Sequence, residues 1–142
     1  MTNHLFKLTI RTPEKEIFND EINSVYLSTE EMGIMGVYSR HASLTGTILF
    51  SPIRISMKNS EENFVTRRGI FMMDNKENHA RILCLSCEQR NEISYQSVKE
   101  YLNYIEELMR KGKNLNQYQF KFLASEKIAL EHNLKELEKK KK

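Results

Sequence analysis

The chain has 142 residues, 39% apolar and 29% charged, enough for one domain or one small domain with an appendage. It is too short for a barrel of eight strands and eight helices, which needs about 200 residues or more. The net charge of +3 is too weak to imply nucleic acid, and no apolar run approaches the roughly 18 residues of a membrane span.

Residues 1–10 hold no basic stretch followed by an apolar run, so no signal peptide is expected. Instead Phe6, Leu8 and Ile10 alternate with Lys7 and Thr9, a strand period with one face in a core. The turn residues Thr12-Pro13-Glu14-Lys15 follow, and then Ile22, Val25 and Leu27 in a short segment of β-formers. Ile53, Ile55 and Met57 alternate with Arg54, Ser56 and Lys58, up to a turn at Lys58-Asn59-Ser60-Glu61. Phe64-Val65 and the stretch from Ile70 to Met73 flank Gly69, a position that suits a bend or bulge. After a turn at Asp74-Asn75-Lys76-Glu77-Asn78, the run from Arg81 to Cys87 reads as a last strand. Strict alternation puts Ile82, Cys84 and Ser86 on one face and Leu83, Leu85 and Cys87 on the other. Many short strands at close spacing predict an antiparallel sandwich or barrel.

The period then changes from two to 3.6. Val98, Tyr101, Leu102, Ile105, Leu108 and Met109 form one helical stripe. Ser97 with Glu100 offers a capping box, Ser94 an equally good start, and Gly112 a stop. Beyond Lys113 and Asn116 a second stripe reads Phe120, Leu123, Leu130, Leu134 and Leu137, interrupted by Lys127. Two helices with a short connection predict an antiparallel hairpin whose narrow stripes are marginal in isolation. The expected division is a β domain at residues 1–88 and a helical hairpin at 89–142. The first part has a net charge of −1 and the second +4, an excess equal to the four terminal lysines, Lys139 to Lys142. Such a tail reads as a solvated terminus, open to an acidic partner.

Little here carries chemistry. Cys84-Leu85-Ser86-Cys87 has redox spacing but sits at a strand end, and Glu88 beside it would raise a thiol pKa. A zinc site needs two more soft ligands, so no metal is expected, and the cysteines read as ordinary small core residues. His4, His41, His79 and His132 are scattered, and Glu30-Glu31 reads as a solvated pair. Nucleotide, hydrolase and metalloprotease motifs are absent, so no catalytic centre and no cofactor are expected. A nucleic-acid partner would need an aromatic platform beside the lysine tail, and none is visible. These residues predict a binding or assembly protein.

Longer motifs go further. Thr12-Pro13-Glu14-Lys15-Glu16-Ile17-Phe18 fits a T-P-x-x-x-x-F turn, and Ile22-Asn23-Ser24-Val25-Tyr26-Leu27 a V-x-x-V-x-L/V strand. Met32-Gly33-Ile34-Met35-Gly36-Val37-Tyr38-Ser39-Arg40-His41-Ala42-Ser43-Leu44-Thr45 resembles E-G-E-L-G-I-Y-P-G-H-A-P-L-L-T, with identities at Gly33, Gly36, Tyr38, His41, Ala42 and Leu44. Ser39, Arg40 and Ser43 stand where that pattern has Pro, Gly and Pro. Ile53-Arg54-Ile55, Arg67 to Met73 and Arg81 to Glu88 continue the match. The whole order resembles the epsilon subunit of F-type ATP synthases (the delta subunit in mitochondria), as a divergent member.

The resemblance implies a flattened β-sandwich followed by a helical hairpin, in a non-catalytic rotor subunit of a proton-translocating complex. It implies a sandwich that grips the gamma subunit and rests on the c-ring. Val37, Tyr38, Arg40, His41 and Ala42 are the positions it assigns to ring contact, Arg40 adding a cation there. The hairpin is expected to fold down or to extend along gamma between the alpha and beta catalytic subunits, slowing ATP hydrolysis. Lys121, Lys127 and Lys135 would then meet an acidic loop of the beta subunit. Relatives that bind ATP do so through I/L-D-x-x-R-A. Here Ile93-Ser94-Tyr95-Gln96-Ser97-Val98 lacks the acid and the arginine, so no ATP binding is expected. The expected location is the cytoplasmic face of a bacterial plasma membrane, with membrane association only through the complex. The competing readings are an unrelated sandwich module with a dimerising hairpin, and a redox protein using Cys84 and Cys87.

Overall fold

The computed structural model describes residues 4–92, 95–111 and 115–140. The chain divides into two compact units, Met1–Arg90 and Asn91–Lys142. The first holds seven strands: β1 Phe6–Arg11, β2 Glu16–Ile22, β3 Ser24–Thr29, β4 Gly33–Tyr38, β5 Leu44–Met57, β6 Ser60–Asp74 and β7 His79–Gln89. They form one continuous sheet in the order β2-β1-β7-β6-β5-β3-β4. Every neighbouring pair is antiparallel except β1 and β7, which run parallel and join the first strand to the last.

The sheet folds over on itself into a sandwich. Phe18 of β2 and Phe64 of β6 lie three strands apart in the order, about 14 Å in a flat sheet. Their rings nevertheless meet edge to face at 6.3 Å. Phe6, Leu8 and Ile10 from β1 share one core with Val25 and Leu27 from β3 and Ile53 and Ile55 from β5. Each such side chain, fully buried, contributes about 1.5–3 kcal/mol.

The long strands β5, β6 and β7 cross from one layer to the other. At the crossing the ladder skips a single line of residues, Leu49, Arg68 and Leu85, and keeps its register on both sides. The inward phase changes there: Ile48 but then Ile53 on β5, Phe64 but then Phe71 on β6, Cys84 but then Cys87 on β7. The cause lies in β6. Arg68 takes a φ of 48°, a left-handed conformation that turns the pleat over. Gly69, a position expected to suit a bend or bulge, lies next to this reversal and permits close approach of β7 through its bare backbone, because a Cβ there would lie 2.8 Å from the Cβ of Cys84. Cys84 and Cys87 therefore share the core, where strict alternation placed them on opposite faces.

The second unit holds α1, Tyr95–Lys111, and α2, Gln117–Lys140. Val98, Tyr101, Leu102 and Ile105 of α1 are buried, as the stripe predicts. Ser97 lies inside the helix and is buried, so it is not the cap; Ser94 and Gly112 lie outside the described residues. On α2 the buried residues are Phe122, Leu123, Glu126 and Leu130, and Phe120 is exposed instead of joining the stripe. Asn116 caps α2 reciprocally: its Oδ1 accepts from the amide of Gln119 at 2.8 Å, and Gln119 Oε1 accepts from the amide of Asn116 at 3.0 Å. Among the described residues no helix is long and apolar enough to cross a membrane.

Candidate functional site

Tyr38 ends β4, and residues 39–43 join it to β5. Of the five positions assigned to ring contact, Val37 is fully buried in the core, and Tyr38, Arg40 and Ala42 are exposed. His41 is half-buried; its amide donates to Tyr38 O at 3.1 Å, closing a tight turn. Its ring Nδ1 donates to Ala42 O at 2.9 Å. Arg40 adopts a φ of 66°, which explains why a glycine suits this position in the motif the chain resembles. Its guanidinium turns back, Nη1 donating to the carbonyls of Asn75 at 3.3 Å and Lys76 at 3.5 Å. The guanidinium is thus tied to the neighbouring turn while the residue stays exposed.

The turn between β6 and β7 holds this loop. Asn75 Nδ2 donates to Arg40 O at 2.7 Å and to His41 O at 3.2 Å. The Asn75 amide donates to Ser43 Oγ at 2.9 Å. Asn78 Oδ1 accepts from the Arg40 amide at 2.7 Å, while its Nδ2 donates to Ser39 Oγ and to Leu5 O, both at 3.1 Å. Sequence reading found Asn75 and Asn78 only as turn formers.

Beside the loop, Tyr38 meets Tyr26 edge to face, ring centres 6.1 Å apart, and their hydroxyls are hydrogen-bonded. That bond, with burial second, pushes Tyr26 up to about 12. Gly36 makes room for the pair: a Cβ there would lie 2.5 Å from Tyr26 Cε1.

A second surface lies across the outer face of β5, β6 and β7. Leu49, Ile70, Leu83 and Leu85 are between 45% and 63% exposed. Ile70 and Leu83 are cross-strand partners, and with Leu49 and Leu85 they line a groove of about 580 Å³ that Arg11, Pro13 and Arg68 also border. Periodicity places Leu83 and Leu85 on the face away from Ile82, without indicating that this face is exposed.

The remaining candidates have local roles. Cys87 donates to Cys84, which donates from Sγ to Arg11 O at 3.7 Å. That bond lowers the Cys84 thiol, while the same bond and burial push Cys87 far up. Among the described residues no group of three or more His, Cys, Asp or Glu could hold a metal. His79 bonds Thr9 Oγ1 through Nε2 at 2.8 Å, and burial followed by Arg81 and Lys7 lowers its pKa. Glu31 is more than solvated: its Oε1 accepts from the Thr47 amide at 2.6 Å, which lowers its pKa. On the hairpin Lys121 and Lys135 are exposed, whereas Lys127 pairs with Glu106 of α1 at 3.8 Å.

Residues 5–90 match the family model of the ATP synthase delta/epsilon chain β-sandwich domain. The ATP synthase epsilon chain of Clostridium kluyveri is 31% identical over 97 residues, 68% of this chain and 71% of that one. That of Mycoplasma mobile is 29% identical over 113 residues, 78% of each. The fold is also found in a chain of the central stalk and c-ring of the Tetrahymena thermophila mitochondrial ATP synthase, with a TM-score of 0.55 and 18% identity. That likeness covers 92% of this chain and 94% of the other. With its sandwich matched from end to end and epsilon chains matching beyond it, the chain belongs to the delta/epsilon family and is a non-catalytic subunit of a rotary ATP synthase.

Proposed function

We propose that the chain works in the rotor, coupling a c-ring to a gamma subunit and to the catalytic head. The observation that carries this reading is the uncovered row of Leu49, Ile70, Leu83 and Leu85. A monomer gains nothing by wetting four neighbouring aliphatic side chains, whereas a partner that covers them gains their transfer free energy. Gamma is the partner assigned to this face. The 38–42 end, where Tyr38, Arg40 and Ala42 are exposed and His41 is half-buried beside the buried Val37, is assigned to the ring.

The hairpin is assigned the control of ATP hydrolysis. Its apolar stripe is narrow and its interface includes the buried Glu126, so helix pairing competes with docking on other subunits at modest cost. Lys121 and Lys135 remain the cations for an acidic loop of the beta subunit; Lys127 joins them only after leaving Glu106. The complex would sit peripherally, with this chain on the cytoplasmic side of a bacterial membrane. Affinity purification of the tagged chain from solubilised membranes tests the reading. It should bring gamma, the ring and the catalytic subunits together; a free homo-oligomer would contradict it.

A further inference from the structure

The loop at residues 38–43 departs from the motif it resembles at three positions, Ser39, Arg40 and Ser43, where two prolines and a glycine are lost. Proline restricts a loop covalently by fixing φ, so losing two of them enlarges the set of shapes the free loop can adopt. All three substituted residues are tied to the same neighbouring turn. Ser39 Oγ accepts from Asn78 Nδ2 at 3.1 Å. Ser43 Oγ accepts from the Asn75 amide at 2.9 Å. Arg40 is held through its amide, its carbonyl and its guanidinium, by Asn78, Asn75 and the Asn75 and Lys76 carbonyls. The contacts span 32 to 39 residues of sequence, so they are tertiary bonds between two turns and not local turn geometry.

We propose that Asn75 and Asn78 are positioning residues: the β6–β7 turn latches the 38–43 loop and sets the shape in which it meets a partner, replacing proline stiffness with hydrogen bonds. This rests on the reading of the loop as a docking end. The latch is specific to carboxamides. Asn78 must accept from the Arg40 amide through Oδ1 and donate to Leu5 O and Ser39 Oγ through Nδ2, which neither a carboxylate nor a hydroxyl does alone. Asn78 also sits at a φ of 53°, which asparagine tolerates and most residues resist. Arg40 thus serves the loop from within while staying exposed beside Tyr38 and Ala42.

Amide hydrogen exchange on the full chain tests this at His41, whose acceptor, Tyr38 O, is untouched by either substitution. Asn75→Ala and Asn78→Gly, the second chosen because glycine accepts the positive φ, should each speed His41 exchange about tenfold, with the amides of Ile53 and Ile82 unchanged. Adding Ser43→Pro to Asn75→Ala should recover most of that protection. Exchange at His41 within about twofold of the parent in the double variant Asn75→Ala/Asn78→Gly would overturn the latch. Binding to detergent-solubilised c-ring is read separately. Faster exchange with unchanged ring binding leaves the latch standing and overturns the docking role of the loop.

Discussion

Tyr26 holds its proton to about 12 because Tyr38 shares a hydrogen bond with it, so the pair reports on the geometry of the loop. In Tyr38→Phe the Tyr26 titration, followed by phenolate absorbance, should move down toward the ordinary value near 10. Two further groups give the fold a pH dependence. The depressed pKa of His79 means that its contribution is fully present above about pH 6.5 and is lost as pH falls through the folded value. The depressed pKa of Glu31 acts the same way below its ordinary 4.5, because protonation weakens the charge-assisted bond from the Thr47 amide. The urea midpoint should therefore be level above about pH 6.5 and then decline in two stages. His79→Gln should flatten the first stage and Glu31→Gln the second. At this scale the motif made Tyr38, Arg40 and His41 legible from the sequence. The roles of Asn75 and Asn78 were not, since a turn former advertises only its own turn and says nothing of a loop more than 30 residues away. The direction of Arg40 was also hidden, because a guanidinium bonds the nearest carbonyls wherever the fold places them.

The strands show where periodicity holds and where it stops. Phe6, Leu8 and Ile10 alternate through a strand of 6 residues and are all buried. The 11 residues of β7 exceed what one layer uses, so a phase read at Ile82 is wrong by Cys87. The reversal originates on another strand, at Arg68, where no local composition rule marks a left-handed arginine. Helix α1 was legible because its buried stripe is regular. Helix α2 was less so, since Glu126 occupies a buried position beside Tyr101 and Phe120 points outward. Leu123→Ala or Leu130→Ala removes a fully packed side chain between the helices and should cost the hairpin about 2–5 kcal/mol, seen as lost helical signal on heating. Removing residues 114–142 should raise the ATPase rate of the assembled complex; an unchanged rate would exclude the hairpin from inhibition.

For the whole molecule, the proposed function gives the two surfaces of the sandwich two kinds of partner. The aliphatic row on β5, β6 and β7 favours a large, dry interface, and the 38–42 end offers aromatic, imidazole and backbone groups suited to polar loops. Composition could not reveal this division, because the aliphatic row is built from the same residue types as the core. What distinguishes Leu83 and Leu85 from Ile82 is the side of the sheet, exposed for the first two and buried in the sandwich core for the third. The central claim, that this face is the grip of a rotor subunit, is tested most directly by the affinity of the full chain for purified gamma subunit. The measurement compares the parent with Leu83→Asp/Leu85→Asp, both outward-facing, with circular dichroism confirming that the variant is folded. The account predicts tight binding by the parent and a loss of at least about a hundredfold in the variant, the cost of two buried carboxylates without partners. Equal affinity of the two chains for gamma would contradict it.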